Sequence, residues 1–213
     1  MNKMCRTNIQ SGRSMIEMLG VLAIIGVLSV GGIAGYSKAM MKFKINKTID
    51  QVSQIIANTY TFYSRYKNYS NLSPKIAYKV NLAPKEMFEL SSGSYAMTNV
   101  FGGRVALTSV PVNDMYSKDD KTFALSFYGL PEEACIELST YDWEASGIRL
   151  IYVSARHGEE VVSDDLYAGC KGTINAKGAI ACANGSVLST PMPIDVAVDV
   201  CSGNNNSVIW KAY

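Results

Sequence analysis

The sequence predicts an α+β protein: one long N-terminal α-helix packed on a C-terminal head with an antiparallel β-sheet and two disulfides. Three observations predict it. The first is a run of 20 uncharged residues, Met18 to Ser37, near the N-terminus of a 213-residue chain. The second is an apolar helical period that continues past this run, with no proline before Pro74. The third is a change after Pro74 to short strand-like runs and turn formers, among which four cysteines fall.

The helix comes first. Twenty helical residues span roughly 30 Å, the thickness of a bilayer's hydrocarbon core. A buried core helix is the alternative, but such helices seldom run this far without a polar face, so residues 18–37 are read as transmembrane. Beyond them Ile45, Ile49, Val52, Ile56, Tyr60, Tyr63 and Tyr66 recur at spacings of three and four, with Lys44, Lys47, Asp50, Gln51 and Gln54 between them. Residues 38–66 therefore form the amphipathic half of a single helix over residues 13–66. The turn formers from Asn68 to Pro74 end it. Within the apolar half, Gly20, Gly26, Gly31, Gly32 and Gly35 each cost about 1 kcal/mol relative to Ala. Small residues let membrane helices approach closely, and they also let a helix stretch. Either use suits a segment that packs against copies of itself.

Residues 1–12, MNKMCRTNIQSG, are polar and basic. A secretory signal peptide places its apolar region before the cleavage site. Here the small-residue site Ser11-Gly12 precedes the apolar run, so a cut after Gly12 leaves the helix in the mature chain. Lys3, Arg6 and Arg13 hold the N-terminus on the cytoplasmic side and send the rest outward.

The head occupies residues 67–213. A short helix is expected over Pro84–Leu90. Strands are expected at Tyr95–Val100, Arg104–Val110 and Thr122–Tyr128, the first two joined by a turn at Gly102-Gly103. Pro131 opens a helical stretch to about Trp143, with Glu132 and Glu133 in its first turn, where the helix dipole favours them. Further strands are expected at Ile148–Ala155, Gly172–Ile174, Gly178–Ala183 and Asp195–Val200.

Composition narrows the function classes. An apolar fraction of 48% excludes general disorder. The net charge of +2 hides an asymmetry: residues 13–85 hold ten Lys or Arg against two acids, and residues 86–213 hold eight against sixteen. Opposite charge at the two ends would let staggered copies attract one another. The acidic head argues against nucleic-acid binding. Of the five cysteines, Cys5 precedes the apolar run, and Cys135, Cys170, Cys182 and Cys201 follow it. These form no C-x-x-C pair and the chain has one histidine, His157, so no metal or cofactor is expected. An even set of cysteines beyond an export segment reads as two disulfides, and three pairings remain open.

Enzyme chemistry finds little purchase. His157 sits among Glu159, Glu160, Asp164 and Asp165, which read as a solvated acidic loop, and no G-x-S-x-G, H-E-x-x-H or phosphate-binding glycine loop occurs. Asn113, Asp114, Asp119 and Asp120 do not have the spacing of a calcium-binding EF-hand loop. A membrane-anchored extracytoplasmic binding protein or enzyme is the weaker alternative. Tyr60, Tyr63, Tyr66 and Tyr69 are read as helix-to-sheet packing.

The string Gly12-Arg13-Ser14-Met15-Ile16-Glu17-Met18-Leu19-Gly20-Val21 resembles the cleavage and assembly segment of type IV prepilins and pseudopilins. In that family a membrane peptidase cuts after the glycine, the new N-terminus is methylated, and an acid at the fifth mature position guides assembly. The resemblance therefore implies cleavage between Gly12 and Arg13, N-methylation at Arg13 and an assembly role for Glu17. Arg13 departs from the usual Phe, Met or Leu at the first mature position. The run Phe123 to Cys135, FALSFYGLPEEAC, is similar to the entry of the cysteine-bounded region of type IVb pilins. That likeness implies the pairs Cys135–Cys201 and Cys170–Cys182 and a disulfide-bounded region over 135–201. Closing a long loop is worth roughly 4 kcal/mol and a short one roughly 3.

A carboxylate within a membrane segment is costly and is usually functional. Glu17 either snorkels at the interface or, in a filament core, takes the α-ammonium of a neighbour's Arg13 as its partner, each charge lowering the cost of burying the other. The function implied is that of a pilus subunit, with a minor pilin or a type II secretion pseudopilin as the alternative. Its partners would be copies of itself, a prepilin peptidase, an inner-membrane assembly platform with its ATPase, and the bilayer before assembly. Its location would be the inner membrane with the head periplasmic, then an extracellular pilus.

Overall fold

The computed structural model describes residues 15–91, 93–110, 121–154, 180–182, 185–188 and 191–212. They fall in two compact units, Met1–Lys42 and Phe43–Tyr213. Helix α1 runs from Met15 to Tyr63 and belongs to both. Within the first unit it is exposed on nearly all sides.

The second unit is a head built on one eight-stranded antiparallel sheet. Its strands in chain order are β1 (Phe88–Ser91), β2 (Ser94–Thr98), β3 (Arg104–Val110), β4 (Thr122–Leu130), β5 (Ile148–Ser154), β6 (Ile180–Cys182), β7 (Gly185–Leu188) and β8 (Asn206–Ala212). In space they follow the order β1-β2-β3-β4-β8-β5-β7-β6. The C-terminal strand thus enters the middle of the sheet, with β4 on one side and β5 on the other. The register sets Phe123 opposite Ala212, Leu125 opposite Trp210 and Phe127 opposite Val208. Because side chains alternate along a strand, these pairs share one face, which carries the main core.

Among the described residues four helices accompany the sheet: α1, α2 (Pro74–Lys79), α3 (Glu132–Thr140) and α4 (Ile194–Val200). The head portion of α1 contributes Val52, Ile55, Ile56 and Tyr63 to the core. Ile49 and Tyr60, expected on the same face, lie partly buried against it, whereas Tyr66 is past the helix end and 60% exposed. Tyr60 closes the contact: its ring meets Phe123 edge-on at 5.5 Å and its hydroxyl donates to the carbonyl of Gly147 at 3.0 Å. α3 and α4 lie side by side, joined by the disulfide Cys135–Cys201. Cys170 and the strand expected at Gly172–Ile174 lie outside the described residues.

Two expectations are corrected and one element is added. The segment Asp195–Val200, expected as a strand, is helix α4. Its valines alternate with other residues, which reads as period two. What decides is burial: Val196, Ala197 and Cys201 lie on one helical face against the core. The short helix expected at Pro84–Leu90 is a 3₁₀ turn, Lys85–Met87, that leads into β1. Between Asn68 and β1, the chain also forms α2, capped by the Ser73 hydroxyl, which accepts from the Ile76 amide at 3.5 Å.

Candidate functional site

Glu17 lies in the first turn of α1 and is exposed. The N-terminal end of a helix carries partial positive charge from its unpaired amides, so an acid is favoured there. Gly12 and Arg13, expected to flank the cleavage site, lie outside the described residues. Around and beyond Glu17 the helix is apolar on every side: Met15 is 84% exposed, Ile16 79%, Val27 75% and Ile33 68%. A helix that is apolar all round belongs in a core or a membrane. This one contributes nothing to the core of its own unit, and it is long and apolar enough to cross a bilayer.

The polar groups in this segment are satisfied locally. The Ser29 hydroxyl donates to the Ile25 carbonyl at 2.7 Å, and that of Ser37 donates to the Ile33 carbonyl at 3.1 Å. Such back-bonding lets a hydroxyl enter a low-dielectric medium without an orphaned donor. The glycines add a second clue. A Cβ built at Gly20, Gly26, Gly31, Gly32 or Gly35 meets nothing within 4 Å. Among the described residues no packing therefore requires glycine at these positions, although each costs helix stability.

The remaining candidates gain no support as a chemical centre. His157, its acidic neighbours and the Asn113–Asp120 group lie outside the described residues. Among the described residues no three His, Cys, Asp or Glu side chains come together to hold a metal ion. Of the tyrosines expected to pack on the sheet, Tyr60 and Tyr69 meet Phe123, the latter at 4.8 Å, and Tyr63 meets Tyr69 at 5.2 Å, whereas Tyr66 stays mostly exposed. Burial pushes the Tyr69 phenol up to about 12, with Tyr60 adding to the effect. In the head Lys47 pairs with Glu86 at 2.8 Å, and this hydrogen bond and charge hold the Glu86 carboxyl below its usual value.

A membrane-length apolar helix that begins with an acid and continues into the core of a disulfide-tied α+β head defines a class of membrane-anchored subunits. Residues 42–212 match the family model described as PilS N terminal, and the chain belongs to this family of type IV pilins. No curated protein sequence matches it. Among solved structures it is similar to the type IVb pilin from Salmonella typhi, at 12% identity over 79% of this chain and 97% of that one, with a TM-score of 0.49. It is also similar to TcpA, a type IV pilin from Vibrio cholerae El Tor biotype, at 16% identity over 78% and 99% of the two chains, with a TM-score of 0.47.

Proposed function

We propose that this pilin is the structural subunit of a type IVb-like pilus, made as a prepilin and cleaved after Gly12 by a prepilin peptidase. Arg13 becomes the N-terminus and the site of N-methylation. Before assembly, the apolar half of α1 holds the subunit in the inner membrane with its N-terminus cytoplasmic and its head periplasmic. An assembly platform with its ATPase then transfers it to a surface filament, where α1 packs against copies of itself. The protein acts by polymerising and has no catalytic role.

The observation that carries this reading is the apolar half of α1, exposed on every side with Glu17 in its first turn. Leaving a bilayer, such a surface must find another apolar partner, and an identical helix supplies one. Inside a filament Glu17 would be desolvated, and the α-ammonium of a neighbour's Arg13 is the cation that offsets this cost. A copy out of register would leave both charges unpaired, so the pair would set the axial stagger.

Glu17→Ala should leave the precursor exported and cleaved while sheared filaments disappear. Normal filament yield from that variant would sink the assembly role. Gly12→Ala or a bulkier substitution should instead block processing, seen by mass spectrometry as retention of the leader.

A further inference from the structure

The disulfide joins the first and the last of the four cysteines that follow α1. Cys135 lies on α3 and Cys201 caps the end of α4, while Cys170 and Cys182 fall between them in the sequence. Of the six pairs that four cysteines allow, this one has the largest separation, 66 residues. Loop-closure entropy therefore disfavours it: a flexible chain joins Cys135 to Cys170 roughly 2.5-fold more readily.

Order of arrival points the same way. A chain exported from its N-terminus presents Cys135 first, then Cys170 and Cys182, and Cys201 last. Folding cannot shelter Cys135 while it waits. α3 packs on α4, β8 and β5, and both α4 and β8 come after Pro193. β8 also fills the place between β4 and β5, so the middle of the sheet stays open until the C-terminal strand arrives. In the finished head Cys135 and Cys201 are 0% and 1% exposed. An attacking thiolate needs access to the sulfur, so this burial locks the pairing.

We propose that the Cys135–Cys201 bond forms by disulfide exchange rather than by direct oxidation, and that the exported head is the substrate of a dithiol isomerase. The inference rests on the export that the pilus-subunit reading requires. First, a disulfide-carrying oxidase takes two electrons and two protons from Cys135 and Cys170 and is left as a dithiol. A thiolate of the isomerase then attacks Cys135 Sγ and expels Cys170 as its thiolate, giving a mixed disulfide. The Cys201 thiolate attacks the same Sγ and expels the isomerase thiolate. One S–S bond is broken for each one made, and the proton lost by Cys201 is matched by the one Cys170 takes up, so the exchange consumes no oxidant. Packing of α4 on α3 supplies the bias, since it holds the two Cα atoms 5.8 Å apart.

The test follows the disulfides of the full-length chain in cells that keep the oxidase and either keep or lack the periplasmic dithiol isomerase. Thiols are trapped by acid quenching and alkylation, and the bonds are mapped by mass spectrometry. Loss of the isomerase should lower the Cys135–Cys201 form about fivefold or more and raise Cys135–Cys170. In Cys170→Ser with Cys182→Ser the same loss should change Cys135–Cys201 by less than about twofold, because no competing thiol remains. The proposal is overturned if the unaltered chain forms Cys135–Cys201 equally well without the isomerase, or if the double variant still requires it. If the double variant does not accumulate, trapping decides. An isomerase lacking its second active-site cysteine should be recovered in mixed disulfide with the unaltered chain, and failure to recover that species overturns the proposal. A chain whose cysteines all stay reduced sinks the export on which the inference rests, whereas one oxidised correctly without help sinks only the exchange.

Discussion

At the scale of single residues, the turn between β2 and β3 shows how much depends on one missing Cβ. Gly102 has φ +85°, in the left-handed region. Gly103 is needed for a different reason. A Cβ there would lie 1.7 Å from the Tyr128 carbonyl oxygen and 3.1 Å from the Asn99 amide nitrogen. Asn99, buried, uses that amide to donate to Tyr128 at 2.8 Å, and its side-chain oxygen accepts from the amides of Phe101 at 2.9 Å and Gly103 at 3.1 Å. Gly103→Ala must push β4 away or break this network. The expected loss is about 3 kcal/mol, the upper end for overpacking, measured by chemical denaturation of the full chain in detergent. A loss below about 1 kcal/mol, a typical effect for any substitution, would mean the turn yields easily. The sequence marked this pair of glycines as a turn because only turn chemistry explains them locally. It offered no sign of Asn99 as their keystone, since that role depends on Tyr128, which is remote in sequence.

At the scale of elements, legibility follows the range of the interactions. α1 could be read because its period repeats for many turns, so local pattern and tertiary burial agree. β3, β4 and β5 were readable because each is rich in β-branched and aromatic residues and bounded by turn formers. α4 and β8 were not. In α4, alternating valines favour a strand, yet the tie to α3 selects a helix: the Met192 amide donates to Ser139 at 3.1 Å and Cys201 joins Cys135. The strand β8 follows an asparagine-rich turn, and its central place is assigned by its neighbours β4 and β5 rather than by its own residues. Asn206 at its start is buried, its amide donating to Leu130 at 3.1 Å and Gly203 at 3.2 Å, and its side-chain oxygen accepting from Ser202 at 2.9 Å. Such a residue reads as a turn former until its partners are known. The disulfide spans a sequence separation of 66, so removing it frees a long loop in the unfolded chain. Cys135→Ser with Cys201→Ser should cost about 4 kcal/mol on the loop-entropy model, seen as a lower denaturation midpoint with α1 helicity retained.

At the scale of the whole molecule, the two units obey different physics. The head has a closed core and a stability of its own to lose, whereas the apolar half of α1 contributes no core and depends on its surroundings. Stability against pH should therefore report the head. Among the described residues Glu86 and Tyr69 act on it with opposite signs. Glu86 has its carboxyl held down by Lys47, so that contribution is present above the ordinary carboxylate value of 4.5 and is lost as the pH falls through the lowered one. The pair is exposed, so salt screens it and the acid limb should be shallow. Tyr69 titrates the other way. Its phenol stays protonated in the fold up to about 12, while the unfolded chain gives up the proton near 10. The unfolded state is thus favoured as the pH climbs between these values, and this alkaline loss should persist in high salt because burial, not a surface charge, is its first cause. Tyr69→Phe should flatten the alkaline limb and leave the acid limb unchanged, measured as denaturation midpoints across pH at low and high salt. An alkaline limb that keeps its slope in Tyr69→Phe would move the effect to another tyrosine of the cluster, with Tyr63, raised by burial and then by Tyr66, the next to test.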